Sequence, residues 1–256
     1  MKSRRHFLHW LLPAFVTAAT LWAPASLAQS AAIDPEAVAL LRKSTDFIGG
    51  LKQFRVDTTS AVELVTAEGQ KLQFDHHVIV TVQRPNKLRT DRQGELIKQS
   101  FYYDGKSLSA NLPEYGFYAV AVVPDTLEGA IDFARDKLDV VAPGADFIYK
   151  NAFERLTAGL TSASYIGEAV VAGVRCDHLA FRNPEVDWQI CIEQGAKPLP
   201  RKFVITSKKM PQAPEFIVVM NRWDTAPKVT DATFTFTPPK GAQMIEFLPA
   251  GTAAKK

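Results

Sequence analysis

The chain has 256 residues, 46% of them hydrophobic and 22% charged, a globular balance that argues against long disorder. Thirty Lys and Arg stand against 27 Asp and Glu, but Lys2, Arg4 and Arg5 fall in the first 28 residues, which hold no acid, so the remainder carries no net charge. That balance argues against a nucleic-acid partner, which demands a surplus of positive charge, while the 228 residues after position 28 are enough to bury a substantial core.

The N-terminus reads as an export signal. A charged start is followed by an apolar run from Trp10 to Ala23, short of the roughly 20 residues a membrane span needs. Ser26-Leu27-Ala28 offers small residues for cleavage after Ala28. Ser3-Arg4-Arg5-His6-Phe7-Leu8 resembles the twin-arginine motif, with an ordinary Sec signal as the other reading. Both imply a periplasmic protein. No Cys lies near the cleavage site, and no later segment is long and apolar enough to span a membrane.

After a short tether from Ser30 to Ile33, Asp34-Pro35-Glu36 opens a helix, with Asp as N-cap and Pro in the first turn. Leu40, Leu41, Phe47 and Ile48 share its apolar stripe and Gly49-Gly50 ends it. The period then changes to two. Strands are expected over Phe54–Thr58, on to about Val65, then over Gln70–Arg84, Leu88–Arg92, Phe101–Tyr103, Ser107–Leu112 and Phe117–Val123. Asp104-Gly105 marks a tight hairpin, and the set reads as an antiparallel meander. Asp125-Thr126-Leu127-Glu128 is a capping-box pattern before a helix to Leu138, and Ala145–Leu160 is expected to be helical. Strands return over Tyr165–Val171, Val174–Phe181, Asp187–Glu193, Arg201–Ser207, Glu215–Trp223 and Thr233–Phe236, before a disordered tail over residues 249–256. The order predicts an α+β fold, mainly β: one curved antiparallel sheet with helices packed into it, forming a single domain over residues 29–248.

Four segments carry a resemblance: Arg84-Pro85-Asn86-Lys87-Leu88-Arg89, the Tyr102–Leu108 hairpin around Asp104-Gly105-Lys106, the helical break near 126–160, and Phe234-Thr235-Phe236-Thr237-Pro238-Pro239-Lys240-Gly241. In this order they resemble the LolA/LolB/LppX-like lipoprotein-carrier superfamily. With Gly173–Arg182 and Val186–Gln189, nearly the whole mature chain looks like a family of predicted periplasmic proteins placed in it. The resemblance implies a half-barrel of about eleven strands whose concave face is closed by helices over an apolar cavity.

Cys176 and Cys191 stand symmetrically about Asn183-Pro184. In a hairpin of that register they face each other, and an oxidising compartment makes a Cys176–Cys191 disulfide the first expectation. It would lie on a polar outer face with His178, Arg182, Gln189 and Glu193. A Cys-His-Cys metal site, or a Cys-His nucleophile, lacks a fourth ligand or an orienting residue and is a minor alternative. No nucleophile elbow and no phosphate loop is present, so an enzyme is the third reading and no cofactor or metal is expected. The opposite face carries Leu179, Phe181, Trp188, Ile190 and Ile192, continued by Phe203 and Ile205. Periodicity alone leaves open whether these residues meet the helices as a filled core or line a cavity; the resemblance favours the cavity. The resulting expectation is a periplasmic binding protein for a lipid or the acyl group of a lipoprotein, touching a membrane or membrane protein transiently. The rival is a protein-binding sensor or scaffold on the same sheet.

Overall fold

The computed structural model describes residues 33–248; the leader, its cleavage site and the tail at 249–256 lie outside them. Helix α1 (Pro35–Gly50) begins where expected. The Asp34 carboxylate accepts from the Glu36 N–H at 2.9 Å, and its second oxygen accepts from the Tyr165 N–H at 3.1 Å. These two bonds, that from Tyr165 foremost, hold the Asp34 carboxyl below its usual range. One side chain thus caps the helix and pins it to a distant strand.

The first meander comprises β1 (Gln53–Val65), β2 (Lys71–Gln83), β3 (Lys87–Gly94), β4 (Gln99–Tyr103), β5 (Ser107–Leu112) and β6 (Phe117–Val122). The two strands expected between Phe54 and Val65 are one, because β1 pairs continuously with β2 from Gln53↔Gln83 to Val65↔Lys71. The second meander comprises β7 (Ser162–Val171), β8 (Val174–Arg182), β9 (Val186–Glu193), β10 (Pro200–Ser207) and β11 (Glu215–Asp224). β1 pairs antiparallel with β11 and joins the two meanders into one curved sheet. Register shifts in the β1–β11, β9–β10 and β7–β8 pairs supply local bends.

Between the meanders, α2 (Leu127–Leu138) starts from Thr126, whose hydroxyl accepts from the Gly129 N–H at 3.1 Å. The cap is therefore Thr126 and not Asp125. Glu128 instead accepts from the Lys150 N–H at 3.1 Å. The helix expected over Ala145–Leu160 is interrupted: a 3₁₀ turn (Ala145–Ile148) precedes α3 (Ala152–Thr157). The residues between them hold α2, since the Tyr149 hydroxyl donates to Asp132 at 2.8 Å. Arg135 of α2 reaches forward to Asp146, at 2.9 and 3.3 Å, and to the Ala142 carbonyl at 2.9 Å.

The strand expected over Thr233–Phe236 is instead the end of a one-turn helix, α4 (Asp231–Phe234), stabilised by the Thr230 N–H donating to the Thr233 hydroxyl at 3.1 Å. Beyond it Phe236 lies between Tyr102 and Tyr118, with ring centroids 5.4 and 5.5 Å away. These tyrosines alternate with inward-facing neighbours, so the C-terminal segment crosses the convex side of the sheet. It ends in β12 (Gln243–Met244), which runs parallel to β6 and brings the strands to twelve.

The densest packing lies where α1, the 3₁₀ turn and α3 meet the second meander. Leu41 and Ile48 are fully buried there with Leu179, Phe181, Trp188, Ile190 and Ile192. Trp188 stacks on Phe181 at 4.0 Å, and Phe203 meets Phe147 edge-on at 5.0 Å. Leu41→Ala should cost about 2–5 kcal/mol, read as a lower urea midpoint with an unchanged slope.

Candidate functional site

The concave face is not filled evenly. Over the first meander and β11 it leaves a cavity of about 320 Å³. Its floor is built from alternate residues of adjoining strands: Phe54 and Val56 of β1, Val78 and Val80 of β2, Leu88 of β3, Phe101 of β4, and Phe216 and Val218 of β11. Its cover consists of α2 and the segment after it, which present Ala130, Ile131, Ala134, Ala142, Pro143 and Ala145, with Phe147 and Ile148 of the 3₁₀ turn and Ile48 of α1 beside them. The small residues among these leave space over this part of the sheet. The strap from Val140 to Ala145 forms a rim, since Val141 lines the cavity and is 81% exposed.

Two buried groups tie cover to floor. The Tyr103 hydroxyl donates to the Pro124 carbonyl at 2.7 Å, just before α2, and burial pushes its pKa up to about 12. Arg84, from the Arg-Pro motif, lies under the start of α2. Its side chain is 8% exposed, its guanidinium has no hydrogen-bond partner among the described residues, and Glu128 is 3.9 Å away. Burial lowers its pKa and Glu128 opposes the shift.

One end of the cavity is polar. His76 and Arg92 occupy apolar-face positions in β2 and β3, with Thr58, Ser60, Thr90 and Gln99 around them. Pairing explains the cluster: Ser60 lies opposite His76, and Arg92 stands between Val78 on one side and Gln99 on the other. An Arg92 N–H donates to His76 Nε2. The His76 ring lies over Gly94, where a Cβ would come within 2.5 Å of its Cδ2, so only glycine fits opposite it. Arg92 has no carboxylate within ion-pair distance among the described residues, whereas Arg135 is paired with Asp146. Burial first, then the Arg92 charge, lowers the His76 pKa; the exposed Asp75 and Glu95 oppose this weakly.

The residues expected to line the cavity are placed differently. Leu179, Phe181, Trp188, Ile190, Ile192 and Phe203 are each no more than 4% exposed and belong to the packed core, with Ile205 at its margin. The reason is coverage: α1, the 3₁₀ turn and α3 fill the second meander's face with large side chains. Trp188, Phe203 and Ile205 also border a more open cleft beside Arg155 and Asn183. None of the seven borders the cavity over the first meander. That cavity had a legible signal, namely His76 and Arg92 interrupting apolar alternation, opposite a helix whose inward face includes Ala130 and Ala134.

The expected Cys176–Cys191 disulfide is not formed; both cysteines are free. The β8–β9 turn closes as Arg182↔Asp187, with the Asn183 side chain accepting from the Glu185 and Val186 N–H groups at 2.9 and 2.8 Å. Register thereby moves by two residues. Cys176 opposes Glu193 and Cys191 opposes His178, so the sulfurs are diagonal neighbours on one face. That face is not the open polar surface expected here, since the cysteines are 0% and 5% exposed. Burial pushes the Cys176 thiol up to about 11 and raises Cys191 as well, which keeps both protonated and poorly nucleophilic at neutral pH. His178 pairs with Gln189 at 3.0 Å.

The lowered His76 pKa fixes the sign of one pH effect. Below pH ~6.5 the unfolded chain binds a proton that the folded one refuses, so stability falls as pH drops toward the folded pKa. His76→Gln should flatten that limb of a melting-temperature profile between pH 7 and 5. An unchanged slope in the variant would show that other groups set it.

Several solved structures are similar to this chain at low identity. LprF from Mycobacterium bovis matches at 14% identity over 82% of this chain and 99% of its own, with a TM-score of 0.49. Lipoprotein LppX from Mycobacterium tuberculosis matches at 14% identity over 77% and 100%, with a TM-score of 0.44. The MucA/MucB complex of Pseudomonas aeruginosa matches at 11% identity over 82% of this chain, which spans only 63% of that one, with a TM-score of 0.45. No curated protein matches the sequence. The family model described as "Predicted periplasmic protein (DUF2092)" matches residues 37–248, almost the whole described chain, and the protein belongs to that family.

Proposed function

We propose that this protein is a periplasmic binding protein that shelters one acyl chain in the cavity between its concave sheet and α2. The observation that carries the reading is the 320 Å³ cavity, apolar over most of its lining, between the concave sheet and α2. Its size lies at the lower end of the roughly 300–1,000 Å³ range of small-molecule sites, which suits a single chain. The physical driving force is removal of acyl surface from water, about 0.8 kcal/mol for each methylene buried. The family's description as periplasmic supports the compartment, and the leader over residues 1–28 would supply export with cleavage after Ala28. The chain's own residues would act by binding and by excluding water; no bond is made or broken in this reading. A short acyl contact surface leaves affinity moderate, as release to an acceptor requires.

A naphthylamine probe, which brightens in apolar surroundings, should bind the mature protein and be displaced by long-chain lipids. Ala134→Phe, which directs a ring from α2 into the cavity, should weaken probe binding by about tenfold or more while the circular dichroism spectrum stays native. A wild-type protein that neither brightens the probe nor yields lipid on organic extraction from periplasmic material would sink the reading in favour of the protein-binding alternative.

A further inference from the structure

We infer that the polar end of the cavity is a carboxylate site, and that the preferred ligand is a single-chain fatty acid whose headgroup is held by Arg92. The inference rests on the acyl-binding reading and narrows it to one chemical class. Arg92 is the observation behind it. Its half-buried side chain lines the cavity at the polar end of a sheet face whose remainder is given to Val78, Val80, Leu88 and Phe101. A guanidinium in such a place normally has a carboxylate partner, because desolvation of an unpaired charge is costly. Here Asp75 and Glu95, the acids that act on neighbouring His76, are exposed and make no ion pair with Arg92 among the described residues. The acid on its own strand, Asp91, alternates to the opposite face and is occupied by Arg89 and Ser100.

The geometry around Arg92 is that of a held group rather than a loose one. His76 is 3% exposed, and its Nε2 accepts one guanidinium N–H. Accepting at Nε2 requires the neutral imidazole protonated on Nδ1, the form that burial favours. One face of the histidine is seated on Gly94, which fixes the ring. His76 is therefore a positioning residue, and the remaining guanidinium donors are left for a ligand. Ser60, Thr90 and Gln99, on the strands to either side, add neutral polar groups around the same point. The far end, under α2, is apolar. A molecule matching both ends has one hydrocarbon chain and one compact anionic head.

Charge count separates a carboxylate from a phosphate. A phosphate monoester carries about −1.5 to −2 near neutral pH. Arg92 supplies a single positive charge, and the other arginine lining the cavity among the described residues, Arg135, is already paired with Asp146. One carboxylate matches one guanidinium, in a planar two-bond arrangement that a phosphate does not need.

The test displaces the naphthylamine probe from mature protein with laurate, methyl laurate and dodecyl phosphate. Wild type should prefer laurate to its methyl ester by about tenfold or more and bind the phosphate no better than laurate. The preference for the acid should shrink with added salt. Arg92→Gln should erase the acid-over-ester ratio while leaving ester affinity and probe binding in place. Arg92→Lys, which keeps the charge, should retain part of the ratio. Equal wild-type affinity for acid and ester, or a ratio that survives in folded Arg92→Gln, overturns the carboxylate site and leaves the acyl-binding reading standing. Tighter binding of the phosphate overturns the choice of head. Should Arg92→Gln fail to fold, the wild-type ratio and its persistence or loss in Arg92→Lys decide the matter. Failure of the probe and all three ligands to bind wild type removes the acyl-binding reading itself.

Discussion

The rest of the structure depends on the pairing of β1 with β11. Each meander forms from local hairpins, but only this long-range ladder makes them one sheet, and it joins residues about 160 positions apart. It also decides how much concave surface must be covered. Two meanders side by side, bent at the register shifts, present more apolar face than three short helices and a strap can cover. The helices are not free to spread evenly, because Asp34 fixes α1 against β7 and Tyr149 fixes the 3₁₀ region against α2. The second meander receives α1 and α3. The first receives α2, whose Ala130 and Ala134 stand beside Ile131.

That unequal sharing has an energetic side. An unfilled space forgoes the dispersion contacts that packed side chains would make, and the residues around it gain less from burial than their hydrophobicity permits. Val78, Val80 and Phe101 are only half-buried although they sit on the inward face of the sheet. The compensating contacts lie elsewhere: the aromatic cluster of Phe147, Phe181, Trp188 and Phe203, and the linked polar groups Arg135, Asp146, Arg155, Asp132 and Tyr149 along the cover. The aromatic cluster lies over the second meander and the space over the first. Such a division suits a scaffold that keeps its shape while one face is alternately filled and emptied.

Local rules reach most of the architecture. Alternation in β2, the Asp104-Gly105 hairpin and the Asp34 cap are each short-range patterns, and the structure forms them where the residues indicate. Expectations fail where a distant partner decides. Phe234 and Phe236 alternate like a strand, but Lys87 and Arg89 receive Asp231 and Thr233 as a helical turn, and Phe236 is drawn to Tyr102 and Tyr118. The two cysteines look opposed on a two-residue turn centred at Asn183-Pro184, yet the Asn183 side chain satisfies two N–H groups in a wider turn and shifts the ladder. The apolar face of β8–β10 was legible as buried, but its neighbours were not. Which part of the sheet is filled and which is left open is a tertiary fact, and only Ala130 and Ala134 of α2 and the polar intruders His76 and Arg92 hinted at it.

The C-terminal crossing of the convex face bears on the margins of the sheet. An open sheet ends in two strands with unpaired backbone, and such edges recruit further strands. At one edge, β6 carries Val120 and Val122, which are 38% and 83% exposed, an inviting template for another chain. The returning segment lays β12 along that edge, with the Gln243 and Ile245 N–H groups donating to the Gly116 and Tyr118 carbonyls at 2.8 Å each. At the other edge, Ile33 makes a parallel bridge to Ala163 and occupies the start of β7. The two ends of the described chain thus act as guards on the two margins of the sheet. Each guard covers only part of its margin: β12 pairs at Phe117 and Tyr118 and leaves Val120 and Val122 beyond it, and Ile33 meets only the first pairing groups of β7.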